Sequence, residues 1–216
     1  MQICGGGWNV MAIFKVIEEQ YVCENEVGNL VNYILKKCRS FFTINLYDIN
    51  NSLYSNQILY LQNYSGKRLH TRMKHFVLAF DSYGWEWEIG EEDIRYFMYS
   101  FIMNYFENYQ VICAIHEGNG GWHAHVILNP VNLKTYELLH LSKAEYKVFL
   151  FQLAYELYMR MGVALQGVAY IDTKGEFRKS SNETDLYQNR WNKSVPLRNE
   201  NGSIAIMPYM SGMYLK

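Results

Sequence analysis

The chain of 216 residues lacks several features that would place it in a familiar class. Its four cysteines form no Cys-x-x-Cys motif and show no paired spacing along the sequence. This pattern argues against a disulfide framework or a zinc ribbon and predicts reduced thiols. No basic segment followed by an apolar stretch opens the chain, and no apolar run reaches membrane-spanning length. A soluble, cytoplasmic protein without a membrane partner is therefore expected.

Repeats, a phosphate-binding glycine loop and a surplus of charge are also missing. The first two absences exclude a repeat array and a P-loop motor. A net charge of −1 argues against a protein that simply coats nucleic acid. The charge is uneven, however, because residues 63–75 hold Lys67, Arg68, Arg72 and Lys74 and no acid. This segment is either a basic groove or an ordinary solvated loop.

Hydrophobic residues make up 50% of the chain, and aromatic residues are abundant, which predicts a folded domain. Hydrophobic periodicity predicts five strands, at residues 10–17, 75–81, 111–116, 122–128 and 168–171. It predicts helices at about 25–38, 91–108 and 142–161, the last opened by a capping box of Ser142 and Glu145. Residues 39–74 are interpreted as loop with short helical pieces. The expected fold is α/β, with a mainly antiparallel, five-stranded sheet and packed helices.

Three histidines lie on either side of a glycine-rich reversal between two apolar runs, a pattern typical of a β-hairpin. Because strand side chains alternate, His123 and His125 share a face, and His116 joins them if its register matches. Three neutral imidazoles on a rigid hairpin suit a divalent metal that keeps open positions for substrate. The alternative is that these are ordinary hydrogen-bonded histidines.

Tyr33 lies off the apolar stripe of the first predicted helix and close to Lys36 and Lys37. A phenol beside lysines is suited to attack a phosphodiester, since its phenolate is electrostatically favoured there. The chain has 19 tyrosines, so an exposed one is unremarkable. Four rival nucleophiles therefore stay open: Tyr47, Tyr54, Tyr60 and Tyr64.

The histidine pattern, a histidine followed seven residues later by His-x-His-x-x-x-Asn, resembles the third motif of relaxases, the mobilisation nucleases of the HUH endonuclease class, in particular MobP-like members. The stretches MAIFKVI and VGNLVNYILKK are similar to the first relaxase motif, whose tyrosine falls on Tyr33. KHFVLAFD is similar to a strand that in relatives often reads His-x-x-x-Ser-Phe, and NYQVICAIHEGN resembles the run into the histidine motif. The resemblance covers about residues 11–160.

The resemblance implies strand-specific cleavage and rejoining of single-stranded DNA at an origin of transfer during conjugation. Tyr33 would form a 5′-phosphotyrosyl bond, and His116, His123 and His125 would hold Mn or Mg, although three imidazoles suit Mn or Zn better. Glu117 would hydrogen-bond a ligand histidine or accept a proton. The residues expected to contact DNA are Lys36, Lys37, Lys67, Arg68, Arg72 and Lys74.

Two positions depart from the family pattern: Ala79 replaces a serine and Gly118 replaces an acid. These departures, with the modest charge, leave open a DNA-binding relative without cleavage activity. A metal-dependent hydrolase that uses water, and needs the histidines but no tyrosine, is a second alternative. A nuclease domain is expected at residues 11–172, between an extension of little structural consequence at 1–10 and a C-terminal extension at 173–216 that is able to contact DNA. Accessory transfer proteins are compatible partners, and Asp81 is interpreted as the start of a turn.

Overall fold

The computed structural model describes residues 11–17, 21–47, 51–80, 89–118, 121–171 and 177–179. The strands are β1 (Met11–Ile17), β2 (Ser40–Ile44), β3 (Lys74–Phe80), β4 (Val111–Gly118), β5 (Gly121–Leu128), β6 (Ala164–Ile171) and β7 (Phe177–Lys179). The helices are α1 (Glu24–Leu35), α2 (Asn51–Ser65), α3 (Glu91–Phe106) and α4 (Lys143–Met161). The expectations for residues 1–10, Asp81 and the tail beyond 179 lie outside the described residues.

Within those ranges the strands form one sheet in the order β2-β4-β5-β3-β1-β6-β7. The β1–β6 pair is parallel, and every other neighbouring pair is antiparallel. The prediction of a mainly antiparallel α/β fold is confirmed, and the five predicted strands are the five in the middle of the sheet. The count of five was wrong, because β2 and β7 add one strand at each edge. β7 also lies in the segment assigned to the C-terminal extension.

Residues 39–74 are far more regular than expected. They contain β2 and the fifteen-residue helix α2 in place of a loop with short helical pieces. Tyr54, Ile58 and Leu61 are buried at the four- and three-residue intervals of a helical stripe. The stripe was missed because a tyrosine begins it and polar residues surround it, so its hydrophobic contrast is weak.

Helices cover both faces of the sheet. α1 and α2 pack on the face that carries Ile112, Ala114 and Ile127. On the other face Phe149 of α4 meets Phe14 of β1, with ring centroids 6.0 Å apart. Strand alternation therefore places the odd-numbered side chains of β3 and β5 in the layer between the sheet and α1.

The predicted boundaries of α4 are confirmed. Ser142 and Glu145 form the expected capping box, with the Ser142 backbone N–H donating to Glu145 Oε2 at 2.8 Å. Gly162 ends the helix at a φ of +67°, a conformation that glycine adopts without steric cost.

Asn129, the asparagine of the histidine motif, is completely buried directly after β5. Its Nδ2 donates to Gln110 Oε1 at 2.8 Å and to the Ile58 carbonyl oxygen at 3.4 Å. Its Oδ1 accepts from Gln62 Nε2 and from the Val131 backbone N–H, each at 3.2 Å. This network ties α2 to the end of the hairpin, so the motif asparagine supports the fold.

Replacing Asn129 with alanine is expected to lower the free energy of unfolding by about 2–4 kcal/mol, because it leaves several buried polar partners unsatisfied. Urea unfolding measures the change. The matched control is Asn63→Ala at an exposed position of α2, which should stay within about 0.5 kcal/mol of the wild type. Equal losses in the two variants would contradict a structural role for the network.

Candidate active site

The hairpin brings the three motif histidines together. His116 pairs directly with His123 across β4 and β5, and His125 lies opposite Ala114 on the same face. The ring centroids are 5.4 Å apart for His116 and His123, 5.0 Å for His116 and His125, and 5.2 Å for His123 and His125. Two imidazoles bound to one ion, with N–metal bonds of about 2.1 Å, have centroids roughly 5 Å apart. The residue types and the ring spacing therefore fit a divalent metal.

His116 is at the same time held by α1. Its Nε2–H donates to the Ile34 carbonyl oxygen at 2.7 Å, which leaves Nδ1 with the lone pair. As the side chains stand, no three His, Cys, Asp or Glu residues in the described part of the chain converge on one ion position. The three imidazoles are suitable ligands for a metal. When an ion binds, His116 either keeps its hydrogen bond to Ile34 and ligates through Nδ1, or gives up that bond and ligates through Nε2.

A fourth histidine, His75 of β3, joins the cluster. Its Nε2 lies 3.0 Å from His125 Nδ1, and its Nδ1 lies 3.1 Å from the Tyr21 hydroxyl. His75 is only 5% exposed. Sequence reasoning placed it on a strand but assigned it no role. The missing information was the pairing of β3 with β5, which puts His75 beside the hairpin.

Burial lowers the pKa of three histidines in the cluster, namely His75, His123 and His125. Desolvation lowers the pKa of His75 from 6.5 to about 4. Desolvation, followed by the charges of His75, His116, His123 and Lys15, lowers the pKa of His125 to about 3. The pKa of His123 is also lowered, mainly by desolvation and then by the charge of His116. Neutral imidazole is the metal-binding form, so the site favours ligation at neutral pH.

The metal-free protein should lose stability in mild acid. An unfolded histidine takes up a proton near pH 6.5, whereas folded His75 does so only near pH 4. Between these values the unfolded state binds more protons, so the free energy of unfolding rises with pH and falls on acidification. His75 alone should contribute a loss on the order of 2–3 kcal/mol between pH 7 and pH 4.

Urea unfolding in chelator at pH 7, 5.5 and 4.5 measures this dependence. The His75→Gln variant lacks one of the titrating groups and should show a shallower slope than the wild type. Identical slopes for the two proteins would show that His75 does not titrate in this window.

A cavity of about 670 Å³ opens beside the histidines, lined by β1, β3, β5 and α1. Glu26, Asn29 and Tyr33 reach it from one edge of α1, at the three- and four-residue spacing of a helical face. Tyr33 is 60% exposed, and its ring centroid lies 6.0 Å from that of His125 in an edge-on arrangement. The structure thus brings the predicted nucleophile to the predicted metal ligands.

None of the four rival tyrosines lines this cavity in the part of the chain that the structure describes. Tyr54 is fully buried, and Tyr47 is 79% exposed. Tyr60 and Tyr64 stack on each other with centroids 6.3 Å apart. Among these five candidates, Tyr33 is therefore the one whose position suits attack on a substrate held at the histidines.

The structure does not bring Glu117 to the histidines. Alternation along β4 turns it to the face opposite His116, and its carboxylate accepts hydrogen bonds from the Arg39 guanidinium, with Nε at 2.9 Å. The expected contact with a ligand histidine is absent. A Cβ on Gly118 would lie 3.2 Å from His123 Cε1, so an acid at that position would crowd the imidazole.

The predicted DNA-contacting cations are scattered. Arg72 is tied to the Val22 carbonyl oxygen, Gln62 and Glu24, and Lys67 is paired with Glu137 at 2.6 Å. Lys74 is half-buried, and desolvation lowers its pKa. The remaining three are exposed, namely Lys36, Lys37 and Arg68. None of the six lines the cavity among the residues described.

Lys15 of β1 does line the cavity, and sequence reasoning missed it. It pairs with Val77, which pairs in turn with His125, so the three side chains lie in one row across adjacent strands. The available signal was a lysine in an otherwise apolar strand. Over the described ranges no ion pair of Lys15 with an acid is found.

No helix in the described part of the chain is long and apolar enough to cross a bilayer.

Known proteins similar to this chain include one protein family and one solved structure. The model of the relaxase family described as MobA/VirD2-like, nuclease domain, matches residues 30–163. No curated protein matches the chain. One solved structure, described as "Molecular Basis of Vancomycin Resistance Transfer in Staphylococcus aureus", is similar at 13% identity and a TM-score of 0.46, covering 68% of this chain and 79% of that one. Because the family model spans more than half of the sequence, the chain belongs to the MobA/VirD2-like relaxases and carries their nuclease domain.

Proposed function

We propose that this relaxase cleaves and rejoins single-stranded DNA, in a strand-specific manner, at an origin of transfer. Tyr33 is the proposed nucleophile. The observation that carries the proposal is the position of Tyr33, exposed in the cavity with its ring 6.0 Å from His125. Because Tyr33 lies near the end of a packed helix, its hydroxyl is accessible to DNA and the helix limits the directions from which it can attack.

The reaction is a transesterification. The Tyr33 phenol loses its proton, and the phenolate oxygen attacks the scissile phosphorus. The P–O3′ bond breaks, so one strand fragment leaves with a 3′-hydroxyl after taking up a proton, and the other stays joined to Tyr33 through its 5′-phosphate. Attack by a 3′-hydroxyl on the phosphotyrosyl bond reverses the step, which requires no oxidant or nucleotide.

His116, His123 and His125 would hold a divalent ion, Mn or Mg by family likeness and Mn or Zn by ligand preference. A bound ion supplies Lewis-acid polarisation of a phosphate oxygen, which lowers the barrier to attack. Their low tendency to protonate keeps His123 and His125 available as ligands. Glu117 has no part in this proposal because its carboxylate is bound to Arg39.

Phosphate contacts come from cations close to the nucleophile. Lys15 lines the cavity, so its side chain lies beside the space that a scissile or neighbouring phosphate would enter. Lys36 and Lys37 follow Tyr33 directly after the end of α1 and are exposed. We propose these three as DNA contacts. Arg72 and Lys67 are engaged within the protein and are not included.

End analysis of the cleaved DNA tests this proposal. Single-stranded oligonucleotides that span candidate origins, labelled at either end, are incubated with the protein and Mn. The expected products are a fragment with an extendable 3′-hydroxyl and a fragment that stays with the denatured protein. A free 5′-phosphate fragment would indicate hydrolysis by water, and tight binding of the cognate strand without cleavage would indicate a non-catalytic relative.

A further inference from the structure

We propose that His75, held by Tyr21, is a positioning residue that fixes the tautomer of His125 and thereby keeps His125 Nε2 free to bind a divalent metal. The inference rests on the metal centre of the proposed function. It assigns a role to two side chains outside the histidine motif, and it follows from two contacts in a row: Tyr21 hydroxyl to His75 Nδ1 at 3.1 Å, and His75 Nε2 to His125 Nδ1 at 3.0 Å.

The proton order in this row decides whether His125 can ligate. A neutral imidazole has one N–H and one lone pair, so a hydrogen bond at one nitrogen sets the state of the other. If His75 Nε2 carried the proton, His125 Nδ1 would accept it, and His125 Nε2 would bear a hydrogen in place of the lone pair. If His125 Nδ1–H donates to His75, then His75 Nδ1–H donates to the Tyr21 oxygen, and His125 Nε2 is left with its lone pair.

The surroundings favour fixed proton positions along this row over protons that exchange between the two arrangements. His75 and His125 are 5% and 9% exposed, and Tyr21 is also buried, so little of the row contacts water although all three residues border the cavity. Tyr21 belongs to the core cluster beneath α1, together with Val27, Leu30 and Met73. The row is therefore anchored in packed structure at its far end. Partners of this kind, which hold a ligand imidazole through its second nitrogen, typically change metal affinity about 10–100-fold when they are removed.

Two substitutions of His75 separate the effect of its hydrogen bond to His125 from the effect of losing the imidazole ring. The amide of glutamine reaches about as far as His75 Nε2, so His75→Gln keeps an acceptor for His125 Nδ1–H. The amide of asparagine reaches only as far as Nδ1, so His75→Asn loses the contact with His125. Tyr21→Phe removes the hydroxyl that anchors His75 and keeps the ring. None of the three changes a proposed metal ligand.

Isothermal titration of the whole chain with Mn²⁺ is the first readout. The Kd should rise about 10–100-fold in His75→Asn and stay within about threefold of the wild type in His75→Gln, with Tyr21→Phe between them. A purely structural role would weaken both His75 variants in line with their melting temperatures. Equal Kd values for the asparagine and glutamine variants would overturn the proposal.

The second readout is the ¹⁵N chemical shifts of the His125 ring in the metal-free protein, which report the tautomer without DNA or metal. The proposal predicts a hydrogen on Nδ1 and none on Nε2, and an Nε2–H tautomer would overturn it. This result also decides the case if His75→Asn fails to fold. If the wild-type protein binds no Mn²⁺, the metal centre of the proposed function is contradicted. The tautomer of His125 still tests, independently of metal, whether the row from Tyr21 through His75 fixes its protonation.

Discussion

Tyr33→Phe is expected to lower the rate of strand cleavage by at least about 10³-fold, because the variant lacks the oxygen proposed to form the covalent bond. The aromatic ring remains, so its edge-on contact with His125 is retained and metal binding should stay close to that of the wild type. At 60% exposure the side chain contributes little to the core, so stability should change by less than about 0.5 kcal/mol. Cleavage of labelled single-stranded oligonucleotides in Mn measures the effect.

The matched control is Tyr60→Phe, which removes the same hydroxyl from an exposed tyrosine of α2 outside the cavity. This variant should cleave like the wild type. Residual cleavage by Tyr33→Phe above about 10% of the wild-type rate would mean that another group attacks the phosphate, since loss of a true nucleophile costs far more than tenfold. Tyr21 would then be the next tyrosine to test, because it also lines the cavity.

His123→Ala should produce the second large effect. Removing one of three imidazoles is expected to weaken Mn binding by at least about 100-fold and cleavage by about 10²–10³-fold. His123 is the most informative ligand to remove because its other hydrogen bond is with the nearby Gly121 backbone of the same strand. His116 bonds Ile34 of α1 and His125 bonds His75 of β3, so changes at those positions also disturb contacts between elements. Titration with Mn²⁺ and cleavage rates at saturating Mn²⁺ separate binding from chemistry.

His140→Ala is the control, since His140 is exposed and remote from the hairpin in sequence. It should bind Mn²⁺ and cleave DNA as the wild type does. If His123→Ala bound Mn²⁺ with unchanged affinity, the cluster would not be a metal centre. The histidines would then be a hydrogen-bonded group within the layer between sheet and helix.

Local rules predicted the parts of the molecule whose signals lie close together in sequence. The hairpin followed from alternation around a glycine-rich turn, and α4 followed from a capping box and a terminal glycine. The same alternation placed His123 and His125 on one face. Tyr33 could be placed off the apolar stripe of α1 from helical geometry alone, and the structure puts it in the cavity.

Features that depend on pairing between distant segments were missed. His75 and Lys15 join the site only because β3 pairs with β5 and with β1, a register that no local pattern specifies. Glu117 was assigned to the site because it precedes Gly118, where the family has its acid, although strand alternation turns consecutive residues to opposite faces. α2 escaped notice because tyrosine and glutamine occupy positions of its buried side that usually carry aliphatic residues.

Mass spectrometry of the peptide that carries DNA, after incubation with Mn and the cognate single strand, identifies the residue that attacks the phosphate. One adduct is expected, on the peptide that contains Tyr33, with a 5′-phosphate linking the DNA to the tyrosine oxygen. An adduct on Tyr21, Tyr47, Tyr60 or Tyr64, or a cleaved strand without any adduct, would contradict this expectation.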